Sequence, residues 1–237
     1  MELFRVELLK LKRSSLLTLG LIFPILIVIF TFSKVSGIQK VVDMSSSEAL
    51  YMFSSIAFIT LFLPLYIIYI ACTVTKVENE SNGWKGLILL PIKKSNIYIS
   101  KYKVMLLLLI ITSLSYMLSV NISGFILDRN FNFLLESVFY LIQTLIATLP
   151  IITLLFIIGR RFISIIPVIT TGVVMLITNI FIAQSKFWIY APWTYSMMVS
   201  GGAISEVERY TVLSISIILT AVLFIVDFID FTKSDIK

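Results

Sequence analysis

The chain has 237 residues, of which 59% are hydrophobic and only 14% charged, and its mean hydropathy is +1.03. That is far more apolar surface than a soluble domain needs to fill a core, so the composition excludes a water-soluble globular protein and indicates an integral membrane protein. The formal net charge of +6 arises from 19 basic and 13 acidic residues, and their distribution along the chain explains the excess better than a nucleic-acid partner does.

With about 20 residues needed per span, the chain has room for about six helices and short connections, and for no sizeable soluble domain. Residues 1–13 alternate charge and apolar bulk, with Phe4, Leu8 and Leu11 at helical spacing opposite Arg5, Lys12 and Arg13. Two readings fit: an N-terminal amphipathic helix lying on the inner membrane surface, or a basic leader that anchors the first span. Residues 14–32 form a first span rather than a signal peptide, because no small-x-small cleavage site follows them. A polar external loop follows at 33–50, and 51–74 is a second span with Pro64 inside it.

Residues 76–103 interrupt the apolar pattern with Lys76, Lys85, Lys93, Lys94, Lys101 and Lys103, the signature of a cytoplasmic loop. Asn82-Gly83 breaks a short amphipathic stretch in it, Pro91 closes that stretch, and Ser95 is placed to cap the next helix. The third span is 104–127, followed by an external turn at 128–132. The fourth is 133–158, with Glu136 one turn in, at the interface. Gly159-Arg160-Arg161 makes a tight basic return, and 162–183 is the fifth span.

Residues 184–209 bring Trp188, Tyr190, Trp193 and Tyr195 close together, the pattern of an aromatic belt at a membrane boundary. Pro192 and Gly201-Gly202 divide this stretch into pieces too short to span, so it dips into the outer leaflet or lies on it. These four aromatics serve either as an outer gate touching substrate or as an interfacial anchor. The sixth span is 211–228, and Asp227, Asp230, Lys233 and Asp235 mark its exit from the membrane. With both ends of the chain cytoplasmic, only Lys34, Lys40, Arg129, Lys186 and Arg209 of the 19 basic residues fall outside, which favours this orientation.

Catalytic chemistry has little to stand on in this sequence. Histidine is absent, and the lone Cys72 cannot form an intrachain disulfide. No phosphate loop, zinc-binding helix or nucleophile elbow is present, so no catalytic, cofactor-binding or metal-ligating residue is assigned, and the chain is not expected to be an enzyme. The span interiors carry essentially no ionisable residue, since Glu136 and Asp227 sit at ends, whereas ion-coupled carriers keep a charge at mid-membrane. Energy for uphill transport would therefore enter from outside the bilayer, through the central loop.

The layout resembles the ABC-2 type membrane subunits of ATP-binding-cassette exporters. Shared features are an amphipathic start, six spans, a large loop between the second and third, and a part-inserted segment before the sixth. Locally the likeness runs through Glu78, Glu80, Gly83, Trp84, Leu90, Pro91, Lys93, Lys94, Ile97 and Lys101. The short chain, rich in Lys and Ile, is most similar to the permeases of lantibiotic-immunity exporters of Gram-positive bacteria. The resemblance implies a multi-pass protein of a bacterial cell membrane, paired with a second permease subunit, identical or not. It also implies a separate ATPase, carrying ATP and magnesium, docked beneath the loop. Glu78, Glu80, Lys93 and Lys94 would contribute charge to that coupling surface, and Trp84, Leu87, Leu90 and Pro91 its apolar part. Trp84 serves equally well as an anchor at the inner headgroups, and Glu78 and Glu80 have either the partner or Arg160 and Arg161 to pair with. The implied cargo is an amphiphilic peptide or another hydrophobic molecule.

Overall fold

A computed structural model describes residues 2–11, 15–35, 45–80, 93–128, 133–200 and 204–233. Every element among the described residues is helical. In chain order they are α1 (Glu2–Leu11), α2 (Leu16–Phe32), α3 (Ser46–Ser55), a π-helical segment (Ile56–Phe62), α4 (Leu63–Glu80), α5 (Lys94–Asp128), α6 (Phe133–Arg161), α7 (Ile166–Ile182), two 3₁₀ turns (Trp188–Tyr190 and Pro192–Thr194), α8 (Tyr195–Ser200) and α9 (Glu206–Lys233).

Four stretches are long and apolar enough to cross a bilayer: Ser46–Lys76, Lys94–Asp128, Glu136–Arg161 and Glu206–Lys233. The apolar helices Leu16–Phe32 and Ile166–Ile182 are shorter, at 17 residues each. Seventeen residues rise about 26 Å, just under the hydrocarbon thickness of a bilayer of about 30 Å. Large apolar side chains stay exposed along the outside of the bundle, among them Phe30 on α2, Phe181 on α7 and Ile218 on α9. In water such continuous surfaces would drive aggregation, whereas lipid tails solvate them.

The centre of the bundle is α5, which packs against α1, α2, α3, α4, α6 and α9. The buried face of α2 is Leu16, Gly20, Pro24, Val28 and Thr31, close to the four-residue repeat that keeps side chains on one side of a helix. Ser115 of α5 donates to the Leu21 carbonyl at 2.8 Å, in the turn that Pro24 loosens. Small residues set the remaining crossings. A Cβ on Gly159 would lie 2.7 Å from Thr75 Oγ1, and one on Gly172 would run into the Ile68 side chain, so α4 passes close against both α6 and α7.

The π segment has a local cause in Pro64, whose ring crowds the carbonyl four residues back and which has no N–H to offer. The wide turn takes up that crowding, and the Leu63 N–H reaches back five residues to the Phe58 carbonyl. The Phe58 ring then stacks on Tyr116 with centroids 4.1 Å apart, and the Tyr116 hydroxyl shares a 2.9 Å hydrogen bond with Ser54. Helix starts are capped in the same economical way at α3 and α9. The Glu48 N–H donates to Ser45 Oγ and the Glu208 N–H to Ser205 Oγ, each at 3.3 Å, and each glutamate accepts the N–H of its serine.

Candidate coupling end and outer aromatic segment

Helices α4 and α5 both extend past the apolar spans into the lysine-rich stretch, to Glu80 on one side and back to Lys94 on the other. Trp84, Leu87, Leu90 and Pro91 lie outside the described residues, as do the side chains of Glu78 and Glu80. What the structure describes is the charge pattern that frames them. Glu78 and Glu80 occupy the last turn of α4, the negative end of its dipole. Lys94, with the exposed Lys93 just before it, occupies the positive end of α5. By position alone each placement opposes the dipole preference, an effect of about 0.3–1 kcal/mol at helix ends, so helix stability does not explain these residues.

Behind this edge lies an ionic layer built from four helices. Asp227 of α9, 1% exposed, accepts from Arg160 Nε at 3.0 Å and also from Arg160 Nη2. Tyr98 of α5 donates to the same carboxylate at 3.0 Å. Asp230 accepts from Arg160 Nη2 at 2.7 Å, and Arg161 lies 3.5 Å from both aspartates. The Tyr98 ring is enclosed by Phe156, Phe224, Phe228 and Phe231 at centroid distances of 5.2–5.6 Å. A guanidinium gripped through two nitrogens has little freedom to rotate, so α6 and α9 are held in one register and Tyr98 ties α5 to both.

A second pair joins α1 to α5. Lys101, 0% exposed, donates to Glu7 Oε2 at 3.0 Å, and Lys10 donates to Glu7 Oε1 at 3.0 Å. The sequence places Lys101 in the cytoplasmic loop, whereas in the structure it is a buried cation within α5. Helix α1 turns Glu7 as well as Phe4 and Leu8 toward the bundle and leaves Val6 and Leu9 exposed. Arg160 and Arg161, one of the two expected sets of partners for Glu78 and Glu80, contact Asp227 and Asp230. Among the described residues no group of three or more metal-ligating side chains occurs.

The aromatic segment at 184–209 separates its four residues. Tyr190 is 80% exposed and Trp188 partly buried. Tyr195 is 2% exposed and donates its hydroxyl to the Ile189 carbonyl; burial raises its pKa, so the hydroxyl stays a neutral donor. Thr194 ties the two 3₁₀ turns by donating to the Trp188 and Ala191 carbonyls, both at 2.9 Å. Trp193 wedges between helices, reaching Pro64 and Ile68 of α4, Leu155 of α6 and Met175 of α7 through one small cavity, and Leu219 of α9 through another. Of these four, Tyr190 faces outward, Tyr195 is buried, and Trp188 and Trp193 are partly buried in the packing.

No sequence motif marks Tyr98 or Glu7, and Lys101 stands in the sequence only as a loop lysine and part of the family likeness. The one local signal was the glutamate three residues before Lys10; the other pairs join positions 67 to 129 residues apart.

The described residues form an all-helical body with four helices long and apolar enough to cross a membrane. Residues 3–179 match the family model described as ABC-2 family transporter protein, and the chain belongs to that family. No curated protein and no solved structure gives a significant match. Members of this family are membrane components of transporters that work with an ABC ATPase, so the chain is a permease subunit. The match runs from α1 into α7, so the aromatic segment and α9 lie beyond it.

Proposed function

We propose that this permease exports an amphiphilic substrate, a lantibiotic or similar antimicrobial peptide, and so makes the cell resistant to it. Its fuel is ATP with magnesium on the partner ATPase, which docks beneath the 76–103 loop with both ends of the chain on the same, cytoplasmic, side. Six spans, including the two 17-residue helices, and a second permease subunit, a copy or a sister chain, complete the path.

The observation that carries this reading is the family match, and the dipole-opposed charges at Glu78, Glu80, Lys93 and Lys94 support the docking surface. Opposite charge presented by a partner to Glu78, Glu80 and Lys93 would offset the dipole cost, as in other helix-in-groove contacts. The lantibiotic assignment rests on the overall likeness of a short, Lys- and Ile-rich chain to that group of permeases.

Gentle detergent extraction of the tagged chain, followed by identification of co-purifying proteins, tests the partner: a nucleotide-binding subunit is expected, and its absence would sink the docking reading. Replacing Trp84 and Leu87 together with Glu is expected to leave the chain inserted but to abolish substrate-dependent protection. Challenge of expressing cells with a lantibiotic, a hydrophobic drug and a lysolipid decides the cargo. Protection confined to the drug or the lipid would replace the peptide as substrate, and protection from none would favour an assembly role.

A further inference from the structure

A groove of about 1070 Å³ runs between α1 and α5. Its α5 wall is one continuous face, in which Asn96, Ser100 and Lys103 surround Ile99 at one end and Leu106, Leu107 and Ile110 make the other end apolar. From Asn96 to Ile110 this face is about 21 Å long at 1.5 Å per residue, of which the apolar part beyond Lys103 takes up about 10 Å, enough to line the upper half of an extended fatty-acyl chain. Leu3, Phe4 and Val6 of α1 form the opposite wall.

We propose that this groove holds one anionic phospholipid from the leaflet at the basic end of the bundle, headgroup on Lys103 and acyl chain along Leu106, Leu107 and Ile110. Charge complementarity selects the occupant. Of the cations near the groove, Lys101 and Lys10 are taken by Glu7. Lys103 is exposed and pairs with no carboxylate among the described residues. It sits at the depth where the apolar part of α5 begins, which is where a phosphate would lie, while Asn96 and Ser100 offer further hydrogen bonds to a headgroup. Val6 and Ile110 are exposed at the groove's rim, so it opens sideways toward bilayer rather than toward a water-filled path. The site does not depend on which substrate the transporter carries. Lipid seated there would brace α1 against α5 beside the Glu7–Lys101 pair.

The test is native mass spectrometry of the full chain released from bilayer discs holding equal phosphatidylglycerol and phosphatidylcholine. The wild type is expected to retain one phosphatidylglycerol per chain. Lys103→Gln should lower the preference for phosphatidylglycerol over phosphatidylcholine about fivefold, the scale of one surface cation on an anionic lipid, and Lys34→Gln, an exposed lysine elsewhere, should not. Leu107→Trp, which fills the groove, should remove the retained lipid of either kind; if that variant does not fold, Lys103→Gln decides alone. Equal retention of both lipids by the wild type, or an unchanged preference in Lys103→Gln, overturns the proposal. So does efficient disulfide dimerisation of Leu106→Cys in native membranes, which would give the groove to a second copy.

Discussion

At the scale of single residues, the decisive feature is that Asp227 and Arg160 are buried together, with Tyr98 completing the carboxylate's shell. Taking both charges out of water is costly, and removing one partner leaves the other uncompensated, which costs about 3–5 kcal/mol. Asp227→Asn is therefore expected to lower thermal stability in detergent sharply. The double change Arg160→Met with Asp227→Leu, which removes both charges, should recover most of the loss. A small effect of Asp227→Asn would show that water reaches the pair. This pair was not legible from the sequence. Asp227 stands near the end of an apolar run, and Arg160 follows a glycine in a basic return, so each looked like a marker of the membrane boundary. One sequence does not report that two positions 67 residues apart meet. At the other end, Tyr190 is exposed where Trp193 is packed between helices. Tyr190→Ala is thus the cleaner probe of substrate contact: thermal stability should stay within about 0.5 kcal/mol, as for surface changes generally, while the ranking of exported substrates changes. Trp193→Ala, by contrast, should cost about 3–5 kcal/mol through the void it leaves.

At the scale of elements, hydrophobic patterning indicated where the long helices lie but not where they stop. The apolar stretch of the third span begins at Val104, yet α5 starts at Lys94 because Ile97, Tyr98 and Tyr102 bury against the bundle and carry the polar turn with them. Patterning sees the lipid-facing stretch; the helix end is set by tertiary contacts. The π segment is a second instance, since Pro64 announced a disturbance in the span without giving its form. Helix crossings set a further constraint. Gly172→Val would drive a side chain into Ile68 and force α4 and α7 apart. A loss of about 1–3 kcal/mol, the usual cost of overpacking, is expected in thermal unfolding, relieved in the double variant with Ile68→Ala. No relief would mean that α7 is free to shift on its own.

At the scale of the whole molecule, composition alone identified a membrane protein, and the layout alone resembled the family that the match over residues 3–179 established. These were legible because membrane insertion is governed by hydrophobic length and basic asymmetry, both written locally in the chain. Substrate identity is written in apolar surfaces whose chemistry is nearly uniform, so it was not. The proposed orientation has a direct check: Lys93→Cys should react with a membrane-impermeant thiol reagent only in inverted vesicles. Reaction in intact cells would invert the topology and with it the side on which the ATPase docks.

One property of α5 bears on how such a permease transmits force. The helix is unbroken over 35 residues, about 52 Å at 1.5 Å per residue, and its far end holds the start of α3 through the Ser47 N–H on Asp128 at 2.7 Å. A tilt of a few degrees imposed near Lys94 would swing that far contact by several ångströms, with no joint in between to absorb it. The helix is thus a stiff lever, delivering a nudge at one face of the bilayer to the opposite mouth as an enlarged stroke.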